Sequence, residues 1–210
     1  VYDSARCHLD PNGWLEGCLS AVSTDGVVDA AQTLWGKYLM EELFSYLDLQ
    51  IKAMECCALL AADAEGGYSI AVLLRDTVNQ LRHLRQSQSW DQVIARRNVE
   101  FGTMRFKKDF TDEELKERIK AVRDGCKEGL KRALKPFCDS SQQVLHDLES
   151  SEAAVRGMVS LVRSFAKEYD AAKRRRRILD FSDLEHRTLD LLLGVHRTGP
   201  TAIAFDLGER

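Results

Sequence analysis

Apolar residues recur every three to four positions along almost the whole of this 210-residue chain. That period is the spacing of one face of an α-helix, while the period-2 alternation of strands is nearly absent. The only three prolines, Pro11, Pro136 and Pro200, lie near the ends of periodic segments. The pattern predicts an all-α fold, an irregular multi-helix bundle with at most a very short strand near Ile178–Phe181.

Local signals place the helix ends. Asp10 or Asn12 and Ser89 are predicted N-caps, and Thr111-x-x-Glu114 and Ser182-x-x-Glu185 match the capping-box pattern. Gly66-Gly67 and Gly194 are expected to end helices, and residues 98–110 read as an irregular loop. The predicted helices cover residues 11–22, 30–63, 68–86, 90–98, 112–135, 140–148, 151–177 and 184–193, with a last one from Pro200.

The composition is that of a chain able to bury a core, with 44% hydrophobic and 30% charged residues. Its net charge of −3 conceals an asymmetry. Residues 1–100 carry 8 Lys+Arg against 14 Asp+Glu, and residues 101–210 carry 22 against 19. A purely electrostatic nucleic-acid binder is usually far more basic, so any DNA contact is expected to be local.

The six cysteines form no paired metal-ligand spacing. They contain no C-x-x-C, Cys56 and Cys57 are adjacent, and Cys7-His8 lacks a second pair of ligands. We therefore expect reduced, mostly buried thiols and no bound metal. No signal peptide is recognisable, and no apolar run is long enough to span a membrane.

The motifs of common nucleotide and hydrolytic sites are missing. The sequence has no phosphate-binding G-x-x-x-x-G-K-[ST], no G-x-G-x-x-G, no H-E-x-x-H and no G-x-S-x-G. No catalytic residue is predicted, no cofactor is expected within the chain, and the chain by itself is expected to be inactive.

Two basic clusters are candidate contacts to a DNA backbone. One is the run Lys173, Arg174, Arg175, Arg176 and Arg177, and the other is Arg105, Lys107 and Lys108 in the predicted loop. Lysine and arginine clusters bind phosphates regardless of base sequence. The alternative is a solvated surface, with some of the cations paired to acids.

The turn after the basic run also has two interpretations. Its residues are Asp180, Phe181, Ser182, Asp183, Leu184 and Glu185. Two carboxylates close in sequence can hold a divalent cation. The alternative, which the lack of a third ligand favours, is that Asp180 or Ser182 caps a helix while Phe181 and Leu184 fill the core.

The segment from Tyr169 to Leu193 resembles UvrD-like superfamily 1 DNA helicases, where accessory domain 1B returns to the first RecA-like motor domain. The residues that match the family pattern are Tyr169, Lys173, Leu179, Asp180, Phe181, Asp183 and Leu184. Ser182 and Glu185-His186 are similar to the AddA-type helicase-nuclease subunits of the bacterial AddAB complex. The opening stretch with Asp10-Pro11 and Trp14-Leu15, and the closing "GPTAIAFDLGER", are similar to that group as well.

The resemblance implies that residues 1–178 form a helical 1B-type insertion and that residues 179–210 lead toward the motor domain, ending before Walker B. Because the chain lacks an initiator methionine, we expect a fragment of a longer protein. That protein would be a cytoplasmic ATP-dependent DNA helicase/exonuclease that acts in double-strand-break repair. It would bind ATP and magnesium, double-stranded DNA with a single-stranded product, and an AddB-like subunit.

The expected role of the chain within that protein is engagement of duplex DNA. The alternative is a non-catalytic helical module that docks the partner subunit.

Overall fold

A computed structural model describes residues 1–208, and within them the protein is all-α, as predicted. Nine α-helices and one short 3₁₀ helix account for the regular structure of that range, which contains no strand. The helices are α1 Tyr2–Arg6, α2 Pro11–Val22, the 3₁₀ helix Ala30–Gln32, α3 Leu34–Asp63, α4 Tyr68–Arg85, α5 Trp90–Arg96, α6 Glu113–Ala133, α7 Ser141–Arg176, α8 Phe181–Leu193 and α9 Ala202–Gly208.

The chain divides into two compact units. The central unit is Thr24–Asp147, and the terminal unit combines Val1–Ser23 with Leu148–Arg210. The boundary predicted from sequence at residue 178 falls inside the terminal unit. No helix within residues 1–208 is both long enough and apolar enough to cross a membrane.

The core of the central unit lies between α3, α4 and α6. Apolar stripes with helical spacing supply it: Leu43, Leu47, Ile51, Met54 and Ala58 of α3 are buried, as are Ile70, Leu74, Val78, Leu81 and Leu84 of α4. Ile119, Cys126 and Leu130 of α6 complete it. Leu34 is exposed because it lies on the face of α3 opposite this buried stripe.

The loop between α5 and α6 is irregular, as the sequence predicted, and contacts with the core and with α6 hold it in place. Phe110 is buried in the core of the central unit. The Arg123 side chain, from α6, donates hydrogen bonds to the carbonyls of Phe101 at 3.0 Å and Gly102 at 2.6 Å. These bonds satisfy backbone acceptors that no helix or sheet serves.

The terminal unit has a smaller core. Ala5 of α1, Leu15 of α2 and Val159 of α7 are buried together. Tyr2 packs edge-on against Phe165 and Tyr169, with ring centroids 5.0 and 5.9 Å away. The aromatic residues thus attach the short helix α1 to α7.

Two predicted capping boxes were wrong, while other caps were confirmed. Asp10 and Ser89 cap α2 and α5 through their side chains. At α6 the cap is Asp112, whose carboxylate accepts from the Leu115 amide, and not Thr111. At α8 the capping box is Asp180 with Asp183. Because α8 begins at Phe181, Ser182 lies inside the helix and cannot cap it.

The predicted break near residue 149 was also wrong, since α7 is one helix of 36 residues from Ser141 to Arg176. Serine favours helix ends, which made Ser150-Ser151 a plausible break in the sequence. In the structure the Ser151 hydroxyl donates to the Leu148 carbonyl at 2.8 Å, so its bonding potential is satisfied without ending the helix.

The cysteines are less buried than predicted. Cys57 and Cys126 are buried and Cys18 is half-buried, but Cys7, Cys56 and Cys138 are exposed. Burial raises the pKa of the Cys126 thiol to about 11. The expectation that the thiols are mostly buried was therefore wrong.

Candidate functional site

The basic run lies at the C-terminal end of α7, where cations complement the helix dipole. The helix stops in a turn in which the Ile178 amide donates to the Lys173 carbonyl and the Arg177 amide to the Arg174 carbonyl. Arg177 has a φ of 55°, the left-handed conformation that such a turn requires and that glycine usually supplies. This turn sends the chain directly from α7 into α8.

Lys173 differs from the four arginines that follow it. Only 5% of its surface is exposed, and its ammonium lies between three carboxylates. Nζ is 2.7 Å from the Asp183 carboxylate, 3.0 Å from Asp180 Oδ2 and 3.4 Å from Asp170 Oδ1. It also lies 4.6 Å from the centre of the Tyr169 ring, a cation–π distance. Because its ammonium is buried among these groups, Lys173 is not available to bind a phosphate.

The electrostatics of this cluster follow from its geometry. Burial acts against the charge of Lys173, but hydrogen bonds to Asp183, Asp180 and Asp170 outweigh it, so the pKa of Lys173 is raised. The backbone amide of Asp183 and the Lys173 ammonium lower the pKa of Asp180. Asp180 and Asp183 were the candidate metal ligands, and the Lys173 ammonium lies between their carboxylates, in the position that a bound metal ion would take.

Asp180 and Asp183 form a reciprocal cap at the start of α8. The Asp183 amide donates to Asp180 Oδ1 at 2.8 Å, and the Asp180 amide donates to Asp183 Oδ2 at 3.2 Å. Arg6 of α1 reinforces this corner by donating to Ser182 Oγ at 2.9 Å and Asp183 Oδ1 at 3.1 Å. The cap, the end of α7 and α1 are therefore one connected polar network.

The apolar residues of this turn are not where the sequence placed them. Phe181 is 87% exposed and Leu184 is half exposed, so the expected buried plug was wrong. Phe181 is the first residue of α8 and directly follows the cap residue Asp180. Ile178 and Leu179 are exposed too, and no strand forms there.

The four residues Arg174, Arg175, Arg176 and Arg177 are all exposed. Within residues 1–208 none of their side chains makes an ion pair or a side-chain hydrogen bond. Arg105, Lys107 and Lys108 are also exposed, in the loop of the central unit. The predicted basic run thus consists of one buried, ion-paired lysine, Lys173, and four arginines that are exposed to solvent.

Sequence reasoning missed a second polar contact that holds α8. The buried His186 has Nε2 2.9 Å from the Arg6 carbonyl and Nδ1 2.8 Å from the Arg197 guanidinium. A carbonyl only accepts and a guanidinium only donates, so these two contacts fit the tautomer with its proton on Nε2. Arg197 also pairs with Asp190 at 2.9 Å. Only the tertiary fold brings these distant residues together.

Comparison with known proteins identifies the relationship. No protein-family model matches the chain. The A subunit of the ATP-dependent helicase/nuclease of Acetivibrio thermocellus is 27% identical over 100% of this chain, and that of Listeria innocua is 30% identical over 92% of it. The Bacillus cereus protein of the same name is 26% identical over 98%. This chain is similar in sequence to one part of the A subunits of ATP-dependent helicase/nucleases.

The match confirms the resemblance to helicase-nuclease subunits that the Tyr169–Leu193 pattern indicated. It also shows how small a part of those proteins is involved. The aligned region is 18% of the Acetivibrio thermocellus protein, 16% of the Listeria innocua one and 17% of the Bacillus cereus one. The chain therefore spans less than a fifth of the length of the helicase/nuclease A subunits that it matches.

Proposed function

We propose that this chain is the DNA-engaging helical segment of an AddA-type helicase/nuclease, and that the end of α7 contacts the phosphate backbone of duplex DNA. The observation that carries the proposal is the exposure of Arg174, Arg175, Arg176 and Arg177 without a carboxylate partner within residues 1–208. Contacts of this kind are electrostatic and indifferent to base sequence.

The buried Lys173 network supports this role by fixing the place of the arginines. The ion pair between Lys173 and Asp183 joins the last turn of α7 to the first turn of α8. The backbone that carries the four exposed arginines is therefore fixed at this corner. A charged group that is held in place loses less conformational entropy when it binds a phosphate. Arg174, Arg175 and Arg176 lie in the last turn of α7 and Arg177 directly follows it, so the four guanidinium groups present charge over a broad arc.

The wider assignment extends to the whole protein. It would be an ATP-dependent helicase/exonuclease of double-strand-break repair in the cytoplasm, with ATP and magnesium bound by residues other than these. The present chain, without a phosphate-binding loop in its sequence, would neither bind nor hydrolyse ATP. Residues 1–178 would be the 1B-type insertion, and residues 179–210 the return toward the first motor domain.

Exposed apolar side chains at the end of the chain support the return-segment assignment. Surfaces of monomeric proteins seldom leave so many large apolar residues uncovered in one stretch, and a neighbouring domain would cover them. The exposed residues after α7 are Ile178, Leu179, Phe181, Leu184, Leu191, Val195, Ile203, Phe205 and Leu207.

Salt dependence of duplex binding tests the DNA proposal. The variant Arg174→Ala/Arg175→Ala should bind any duplex more weakly, and its slope of log K against log salt should be shallower by about 0.9 for each phosphate that the variant no longer touches. Lys37→Ala/Lys52→Ala is a matched control, because both lysines are exposed cations of α3 without an ion pair in the described residues. An unchanged slope in the arginine variant, or an equal change in the control, would show that the end of α7 does not contact the DNA backbone.

A second candidate function is docking of an AddB-like subunit, supported by the outer face of α3. Leu34, Tyr38, Leu49 and Leu59 fall within one arc of this helix and are 57–68% exposed. The variant Tyr38→Glu/Leu49→Glu should then abolish sedimentation of the chain with that subunit while leaving the DNA salt slope unchanged. Co-sedimentation that survives both charges would exclude this face.

A further inference from the structure

Positive charge in the central unit is concentrated in one continuous stretch. Residues 105–135 carry 11 Lys+Arg against 7 Asp+Glu, whereas the remainder of Thr24–Asp147 carries 7 against 13. The stretch consists of the end of the α5–α6 loop, all of α6 and the two residues beyond it. An otherwise acidic unit therefore has a single basic region.

The fold places the loop cations beside those of α6. Phe106, which lies between Arg105 and Lys107 in sequence, packs against Phe110 with ring centroids 5.0 Å apart. The ammonium groups of Lys116 and Lys120 lie 5.6 and 6.0 Å from the centre of the Phe106 ring. The loop cluster and the first half of α6 consequently share one surface.

Helical spacing continues that surface along α6. Lys116, Lys120, Arg123, Lys127 and Lys131 follow one another at intervals of four, three, four and four residues, which places them on one side of the helix. At a rise of 1.5 Å per residue the row is about 22 Å long. It borders the buried stripe of Ile119, Cys126 and Leu130.

Charge pairing differs along the row. Lys116 pairs with Glu113 at 2.9 Å, Lys120 with Glu117 at 2.7 Å, and Arg123 with Asp124 at 3.1 Å. Lys127 and Lys131 are exposed and have no ion pair within residues 1–208, and the same holds for Arg105, Lys107 and Lys108. Both ends of the row therefore present unneutralised cations.

We propose that Arg105, Lys107 and Lys108 together with Lys127 and Lys131, here called the α6 ridge, form a second binding surface for the phosphate backbone of duplex DNA. This inference rests on the proposed function and adds a site in the central unit. Duplex DNA carries one charge per about 1.7 Å of axis, so a row about 22 Å long meets many phosphates.

The surroundings of the ridge favour nucleic acid over a protein partner. Between residues 73 and 157 of the described chain no large hydrophobic side chain is exposed. Protein interfaces depend on buried aromatic and apolar anchors, which this stretch of the chain does not offer. Phosphate contacts need only exposed cations, and these the ridge has.

The test uses the whole chain and duplex DNA of arbitrary sequence. Lys127→Ala/Lys131→Ala should lower the slope of log K against log salt by about 1.8, or about 0.9 for each of the two lysines. Lys37→Ala/Lys52→Ala removes the same charge from α3 and should leave the slope within error. Circular dichroism should show full helicity for both variants, since all four side chains are exposed.

Three results separate the inference from the function on which it rests. A shallower slope in both Lys127→Ala/Lys131→Ala and Arg174→Ala/Arg175→Ala supports two surfaces. A change only in the arginine variant overturns the ridge and leaves the proposed function standing. Absence of duplex binding by the unsubstituted chain at low salt overturns both.

Discussion

The ammonium of Lys173, in the last turn of α7, lies 2.7 Å from the carboxylate of Asp183, in the first turn of α8. The same carboxylate accepts a hydrogen bond from Arg6 of α1 at 3.1 Å. One acid therefore joins three helices of the terminal unit. The first cation of the basic run, Lys173, stabilises the fold, whereas the four arginines after it are exposed to solvent.

Replacement of Lys173 by methionine should destabilise the α7–α8 corner. The change keeps a long apolar stem but leaves Asp180 without its cation and Asp183 with Arg6 as its remaining cation. Loss of one partner from a fully buried pair costs about 3–5 kcal/mol, and we expect on the order of 2–3 kcal/mol because water reaches part of the Asp180 side chain. Amide hydrogen exchange of α8 measures the loss. Arg175→Met, at an exposed site on the same helix, should change exchange little.

The stability of this corner should depend on pH at both extremes. The pKa of Asp180 is lowered by folding, so its contribution is present above the ordinary value of 3.8 and is lost as the pH falls through the folded pKa. The pKa of Lys173 is raised, so its contribution is present below the ordinary value of 10.5 and is lost as the pH rises through the folded pKa. Between these limits stability should vary little.

Asp180→Asn isolates the acid side of this dependence. Asparagine is also a good N-cap, so the hydrogen bond from the Asp183 amide can persist while the charge is removed. Unfolding followed by hydrogen exchange from about pH 5 down to about pH 2 should show a shallower loss of stability in the variant. An identical acid profile would show that Asp180 is not linked to folding.

The helical stripes were predictable because periodicity records which face of a helix is buried. The α3 and α4 core residues, the all-α class and the irregular loop all followed from that pattern. Most partners of Lys173, His186 and Arg197 did not follow from it, because these contacts join different elements of the fold; Asp170, one turn before Lys173 on α7, is the exception. A lysine inside a basic run gives no local sign that three carboxylates surround it.

Phe181 shows the opposite error. An aromatic residue beside leucines predicts burial, and truncation of a buried aromatic costs about 3–5 kcal/mol. With 87% of its surface exposed, Phe181→Ala should change the free energy of unfolding by no more than about 0.5 kcal/mol. Leu15→Ala, at a buried site of the same unit, should cost about 2–5 kcal/mol. A large loss at Phe181 would mean that the residue is covered within this chain.

Two glycines of α6 give a matched pair in the central unit. A methyl group at Gly125 would meet no atom within 4 Å, whereas one at Gly129 would meet the Tyr46 hydroxyl and lie 2.7 Å from Tyr46 Cζ. Gly125→Ala should therefore stabilise the protein by about 0.5–1 kcal/mol, the ordinary gain of alanine over glycine in a helix. Gly129→Ala should destabilise it by about 1–3 kcal/mol, because the Tyr46 ring has to move.

A titration of the tyrosines distinguishes this displacement from a general loss of stability. Burial raises the pKa of Tyr46 to about 12, and its hydroxyl donates to the Cys126 carbonyl at 2.9 Å. If Gly129→Ala drives the ring toward water, the pKa of Tyr46 should fall toward its ordinary value of 10.0 in the folded variant. Gly125→Ala should leave the titration unchanged. A destabilised Gly129→Ala with an unaltered Tyr46 titration would show that α6 moves instead of the ring.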